Sequence, residues 1–328
     1  MLKLITDNLF NPPVLFFVLG IVAVLVKSDL ELPGSFPKVL ALYLLFSIGL
    51  HGGVSLARSG ISLTVALSIV AAIVMSCLTA VVAFFALRPR LGVYNAAAIG
   101  ATYGSVSAVT FMTAGNFLTE IDVPYNGHMV AALAFMESPA IVAGLVCLRV
   151  FEPATGKKRG SIPALAIESL LHGSVFLLLG SLVVGYLSGE SGWDKVSPFA
   201  EGIFGGALCL FLLDMGISAG RGLSGIRQAG LFPIEFALIF PFVGAAAGIL
   251  VSMLLGFDQG DALLFTVLCA SASYIAVPAV MKTAVPEANP GLYLPMALGL
   301  TFPLNILIGI PLYHTAIQHL IPKGRLPA

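Results

Sequence analysis

Charge is scarce in this sequence: Lys, Arg, Asp and Glu make up 10% of its 328 residues, against about 25% in a typical soluble domain. Sixteen basic residues balance sixteen acidic ones. A water-soluble enzyme of this length, a disordered chain and a nucleic-acid-binding protein all need more polar or basic surface than this. Cysteine is sparse as well. Cys77, Cys147, Cys209 and Cys269 lie in apolar runs with no CxxC pair, so they imply neither a disulfide framework nor a zinc ribbon, and each reads as a small hydrophobe. Catalytic signatures are missing too. There is no GxSxG elbow and no Walker motif. His314 and His319 stand five apart, unlike an HExxH metal motif, and His51, His128 and His172 are isolated. With no nucleophile–base pair to place, neither an enzyme nor a resident cofactor is expected. No cleavable leader is read either, because Asp7, Asn8, Asn11, Pro12 and Pro13 interrupt the start.

What the chain has in quantity is apolar length. Hydrophobic residues make up 58% and the mean hydropathy is +1.02, which places the chain in a lipid bilayer. A helix crossing ~30 Å of hydrocarbon needs about 20 apolar residues. Breaks at charge clusters, Pro and Gly define ten spans, near 12–27, 38–56, 61–87, 95–118, 126–150, 165–187, 199–219, 230–256, 261–283 and 291–318. The longest charged loop, Glu152 to Ser161, includes Lys157, Lys158 and Arg159 and separates two sets of five. The unbroken apolar runs predict an all-α membrane protein, because barrel strands would alternate apolar and polar residues.

The two halves share landmarks at a nearly constant offset. Ile48-Gly49-Leu50 matches Met215-Gly216-Ile217 at 167, and Ser105-Val106-Ser107 matches Ser271-Ala272-Ser273 at 166, as does Val123-Pro124 with Asn289-Pro290. The division predicted is a first five-helix repeat over 1–150, a short cytoplasmic linker over 151–164 and a second repeat over 165–328. An odd number of spans per repeat makes the second copy enter from the opposite side, a plan that secondary transporters use with substrate near the midplane. Basic residues fix the orientation. Lys27, Lys38, Arg88, Arg90, Arg149, Lys157, Lys158, Arg159, Arg221, Arg227 and Lys282 fall on one side, and Lys3, Arg58, Lys195, Lys323 and Arg325 on the other. The richer side is cytoplasmic, leaving both termini outside.

Corresponding spans of the two halves are unusually polar at their centres. The fourth holds Thr102-Tyr103-Gly104-Ser105-Val106-Ser107 followed by Thr110, and the ninth holds Ser271-Ala272-Ser273-Tyr274 followed by Pro278. Pro278 removes a backbone donor and disfavours helix just before it, so a pair of broken helices is expected. The second half of a broken helix begins with free N–H groups at the positive end of its dipole. Two such ends hold an anion without a buried cation, and the hydroxyls of Ser105, Ser107, Ser271 and Ser273 add hydrogen bonds. The competing explanation is tight helix packing, with each Ser bonding back to its own helix. Carboxylates inside a bilayer mark function by default. Glu137, mid-span before Pro139, and Asp214, beside Met215-Gly216, are read as sites for Na⁺ or a proton. Asn305 is the polar residue of the last span.

At these residues the sequence resembles the sodium-dependent bicarbonate transporters of the cyanobacterial type. Their first crossover pattern G-x-V-S-x-x-T is matched by Gly104, Val106, Ser107 and Thr110. Their second is matched by Ser271, Ser273, Ile275, Pro278, Ala288-Asn289-Pro290 and Tyr293, and an F-M-D-x-P-A stretch by Phe135-Met136-Glu137-Ser138-Pro139-Ala140. The resemblance implies two inverted repeats with a core and a gate domain, an elevator motion, a homotrimer in a bacterial inner membrane, and Na⁺-driven uptake of bicarbonate. On matching positions, Gly104, Ser105, Ser107, Ser271, Ser273 and Tyr274 would bind the anion. Thr110, Glu137 and Asp214 are the side chains nearest in kind to a cation site. The sequence departs from the family where Tyr274 replaces an Asp, where Ala276-Val277 replaces Ser-Gly and where Glu137 replaces an Asp. The central loop is shorter than in the cyanobacterial proteins, where it helps to dock a PII-like regulator, so such regulation is not assumed. Proton-coupled or uncoupled carriage of an organic anion, and a sensor or scaffold of the same fold that does not cycle, are the alternatives.

Overall fold

A computed structural model describes residues 9–60, 62–152, 161, 167, 171, 173–226, 230–274, 277, 280–281 and 284–321. Helix accounts for 84% of the structure and no strand occurs among the described residues, as the apolar runs require. The helices are α1 (Pro12–Leu25), α2 (Phe36–Ser59), α3 (Leu63–Gly104), α4 (Ala108–Glu120), α5 (His128–Glu137), α6 (Pro139–Phe151), α7 (Gly173–Ala200), α8 (Phe204–Ile226), α9 (Leu231–Leu255), α10 (Gln259–Ala270) and α11 (Pro290–Leu320). Among the described residues, seven helical stretches are long and apolar enough to cross a membrane: Phe36–Arg58, Leu63–Glu120, His128–Phe151, Gly173–Ala200, Phe204–Gly222, Leu231–Leu255 and Pro290–Leu320. α1 and α10 are apolar but shorter. The expected linker lies mostly outside the described residues, as do Ile275, Ala276 and Pro278.

Helix breaks fall where the sequence chemistry puts them. Gly92, at φ 76°, interrupts α3 three residues after Pro89, a conformation that glycine alone adopts at no steric cost. Beyond it the chain doubles back: a Cβ on Gly100 would sit 2.7 Å from the Ala80 carbonyl, and one on Gly104 2.6 Å from that of Ser76. α3 is therefore a helical hairpin, and Gly104 is glycine because its partner backbone leaves no room. At the turn, the Arg88 guanidinium lies over Phe151 at 4.4 Å and that of Arg90 over Phe232 at 4.3 Å, cation–π contacts that tie the basic tip to α6 and α9. Pro139 opens α6 directly after Ser138. Having no N–H, it separates α5 from α6 and leaves Glu137 at the joint.

Two close crossings organise the rest. α1 runs alongside α8, where Gly216 meets the Phe17 carbonyl and Gly20 meets that of Leu213; α2 runs alongside α7, where Gly49 meets the Leu178 carbonyl and Gly185 that of Leu50. Both pairs are parallel: contacts advance from Phe17–Gly216 to Val24–Gly220 in the first and from Gly49–Leu178 to Gly53–Leu182 in the second. Gly49 and Gly216, picked out by the sequence offset, thus do the same job in separate pairs. Exposed apolar side chains such as Leu67, Val70, Val74 and Leu78 on α3, and Ile239, Val243 and Leu250 on α9, face outward as lipid contact demands.

A second matched feature ties the loops down. The Asn126 backbone N–H donates to Asp261 Oδ1 at 2.7 Å and its side-chain amide to Oδ2 at 2.8 Å, while the Asn289 N–H donates to Asn95 Oδ1 at 2.8 Å. Asn95 and Asp261 are 166 positions apart, the offset of the crossover serines. His128 Nε2 lies 3.6 Å from Asp261 Oδ2. Hydrogen bonds to a charged acceptor are worth about 1.5–3 kcal/mol. Asp261→Ala is accordingly expected to destabilise the fold by about 2–3 kcal/mol, and Asn95→Ala by about 1 kcal/mol. Thermal unfolding in detergent checks the order.

Candidate functional site

The polar centres of the fourth and ninth spans break and meet. α3 ends at Gly104; Ser105 is extended (φ −80°, ψ −179°) and Ser107 (φ −103°, ψ 107°) starts α4 as its N-cap. α10 stops at Ala270, with Ser271 extended (φ −90°, ψ 175°). The breaks bind each other directly: the Ser107 N–H donates to Ser271 Oγ at 2.9 Å, and the Ser273 N–H donates to the Thr102 carbonyl at 2.8 Å. Ser271 Oγ in turn donates to the Leu268 carbonyl at 3.0 Å, and Asn305 Nδ2 donates to the carbonyl of Ala270 at 2.8 Å while Tyr313 donates to Asn305 Oδ1 at 2.9 Å. Carbonyls orphaned at the end of α10 are thereby partnered. Asn305 lies in a π-helical stretch, Asn305–Gly309, within α11, a local widening common at functional sites.

The Ser107 hydroxyl is fully committed. It accepts from the Thr110 N–H at 3.1 Å and from Thr110 Oγ1 at 2.8 Å, and donates to the Tyr274 hydroxyl at 3.4 Å. A hydroxyl has one hydrogen and two lone pairs, so all three are used. Tyr274 therefore keeps its own hydrogen, and Ala108 and Val109, the first two residues of α4, keep N–H groups that no intrahelical carbonyl can reach.

Ser107, Ala108, Val109 and Tyr274 line a cavity of about 30 Å³ together with Glu137 and Ser273, and with Leu45 of α2 and Ser174 of α7. A space of that size holds one or two waters. Glu137 is the carboxylate in the lining. The expected substrate residues divide around it. Ser107, Ser273 and Tyr274 face the cavity, whereas Gly104 packs on Ser76 and Ala80, Ser271 is the strut between the breaks, and the Ser105 hydroxyl is buried with no partner among the described residues. Thr110 lies behind Ser107 and is fully buried. Asp214 sits on α8 beside the Gly216 crossing, away from this lining. No cluster of three or more His, Cys, Asp or Glu suited to a metal occurs among the described residues. Residues that sequence reasoning passed over are Thr102, which accepts from Ser273, and Asn95, Asn126 and Asp261, which anchor the loops. The 166-residue offset that joins Asn95 to Asp261 was the signal available for them.

A second, larger cavity of about 610 Å³ lies between α4, α2 and the end of α7, with Ser47, His51, Met112, Asn116, Trp193 and Glu201 in its wall.

Residues 12–318 match the Na⁺-dependent bicarbonate transporter superfamily. An uncharacterized transporter of Bradyrhizobium diazoefficiens is 34% identical over 119 residues, which is 35% of this chain. The matched segment spans 22% of that relative's length.

Proposed function

This chain belongs to the Na⁺-dependent bicarbonate transporter superfamily, and on that premise we propose that it is a secondary transporter that takes up bicarbonate or a similar small anion, coupled to Na⁺. The observation that carries the reading is the small cavity at the two helix breaks. Its free donors, the Tyr274 and Ser273 hydroxyls and the N–H groups of Ala108 and Val109, suit an anion at a helix N-terminus, and no Lys or Arg lines it among the described residues. Glu137, with the remaining lone pairs of Thr110 nearby, is the coupling position in this reading, and Asp214 the weaker one because it lies outside the cavity wall.

The architecture proposed is ten spans in two inverted repeats, 1–150 and 165–328, joined by a cytoplasmic linker over 151–164. Several features support it. The 58-residue apolar stretch Leu63–Glu120 is about 87 Å of helix at 1.5 Å per residue, enough for two crossings of ~30 Å. Parallel α1–α8 and α2–α7 pairs are what first-with-seventh and second-with-sixth spans would give. The ion pairs Arg221–Glu31 and Arg58–Glu190 join segments that this topology puts on one side, the first cytoplasmic and the second outside. Because the small cavity has crossover residues on one wall and α2 and α7 on the other, sliding of the crossover unit along that frame would carry an anion across, an elevator motion. A bacterial inner membrane, outward-facing termini and a homotrimer complete the reading; regulation by a PII-like protein is not assumed.

Coupling to protons is the second reading, and a specific observation favours weighing it. Tyr274 stands at the position where the resemblance gives an Asp, and Ser107 has no spare lone pair, so the cavity offers a cation one carboxylate, Glu137. Labelled bicarbonate uptake by proteoliposomes under an imposed Na⁺ gradient separates the two. Na⁺-dependent accumulation, lost in Glu137→Gln, is the expected result. Saturable uptake that ignores Na⁺ and follows a pH gradient would remove Na⁺ coupling.

A further inference from the structure

The larger cavity has a chemistry opposed to the transported anion. At about 610 Å³ it has the size of a pocket for an organic molecule, far beyond what the crossover cavity encloses. Its lining is acidic: Asp122 and Glu201 contribute carboxyl groups, and neither Lys nor Arg lines it among the described residues. Like charges disfavour an anion there. Aromatic surface is also present. Trp193 stands edge-on to His51 at 5.0 Å, and Tyr125 and Phe111 join it in the wall. Trp and Tyr faces are the best partners for an organic cation.

The lining is held in place. Tyr43 donates to the Phe199 carbonyl at 2.7 Å and Ser47 donates to that of Ala200, fixing the turn that presents Glu201. Asp122 occupies the left-handed region (φ 54°) in the loop after α4, which the Asn126–Asp261 bonds anchor. Burial, with the Glu201 carboxylate nearby, raises the Tyr125 phenol above its usual value, so its ring stays neutral beside the acids.

We propose that this cavity is a separate binding site for a monovalent organic cation with an aromatic body, its charged head facing Glu201 and Asp122 and its apolar part against Trp193, Phe111 and Met112. An occupant lies between α4 and α2, the elements whose relative motion the transport cycle needs, and so acts as an inhibitor. Binding itself does not depend on the transport reading.

Trp193 is the chain's one tryptophan, so its fluorescence reports on this wall. The test titrates the full chain in zwitterionic nanodiscs at low salt with benzyltrimethylammonium, and in parallel with benzoate. A saturable change in Trp193 emission is expected with the cation and not with benzoate. Its apparent affinity should fall about tenfold in Glu201→Gln and in Asp122→Asn, and should be unchanged in Gly180→Ala, which has open space around it and lines neither cavity. Equal saturation by benzoate, wild-type affinity in both carboxylate variants, or no saturable change with the cation would each overturn the proposal. Both carboxylate variants are near-isosteric, and elution as a single species verifies that they fold.

Discussion

Ser107→Ala and Ser273→Ala are each expected to raise the KM for the transported anion by about tenfold or more, with protein levels close to wild type. A hydrogen bond to a charged group contributes about 1.5–3 kcal/mol, and tenfold corresponds to about 1.4 kcal/mol. The two variants reach that figure by different routes. Ser273 faces the cavity with no hydrogen bond from its hydroxyl among the described residues, so its loss removes a donor and little else. Ser107 is the N-cap of α4 and the partner of Thr110 and Tyr274. Its loss costs about 0.5–2 kcal/mol of capping, frees the first turn of α4 and releases Tyr274 from its position. Ser107→Thr keeps the capping oxygen and should recover most of the affinity. Ser271→Ala should behave otherwise, lowering thermal stability, because Ser271 braces the break without lining the cavity. Unchanged KM in both Ser107→Ala and Ser273→Ala would mean that the anion is held elsewhere.

The largest stability losses are expected from Gly53→Val and Gly216→Val. A Cβ at Gly53 would run into the Leu182 carbonyl, and one at Gly216 into that of Phe17. In both cases the obstacle is backbone, which cannot rotate away, so the paired helices must separate. Overpacking costs about 1–3 kcal/mol, sometimes more, and at a parallel helix crossing the displacement spreads along both helices. Gly180→Ala on α7 and Gly205→Ala on α8 have open space around them and serve as controls. In a helix interior alanine is favoured over glycine by about 1 kcal/mol, so the controls should match or exceed wild type. Thermal unfolding in detergent reads all four. If the valine variants unfold with the controls, the close crossings do not organise the fold.

Gly49 and Gly216 were legible in the sequence because the offset placed Ile48-Gly49-Leu50 against Met215-Gly216-Ile217, and the structure gives each a backbone neighbour. The crossover serines were legible for the same reason, and so was Glu137, since a carboxylate ahead of Pro139 stands out in an apolar span. What spacing could not decide was which hydroxyl faces the cavity. In extended segments neighbouring side chains point to opposite sides, and whether Ser271 serves as strut or ligand depends on a partner 164 positions away. Asn305 was read merely as the polar residue of the last span; its part in closing the end of α10 depends on a π-helical stretch that no apolar pattern announces. Asp261 stands at the edge of a predicted span, and its carboxylate is the anchor for the loop at Asn126. Tyr274, read as a lost carboxylate, proves to be the partner of Ser107, a role a short carboxylate could not fill in the same way.

The central claim is that this chain binds a small anion between two helix breaks and carries it across a membrane, rather than sensing it or opening a pore. Counterflow tests that most directly. Proteoliposomes loaded with unlabelled bicarbonate are diluted into a trace of labelled bicarbonate, with Na⁺ equal on both sides. A carrier gives a transient accumulation of label above equilibrium that saturates with substrate and is reduced in Ser273→Ala. Entry of label that only approaches equilibrium, or entry no faster than through protein-free liposomes, would contradict the account.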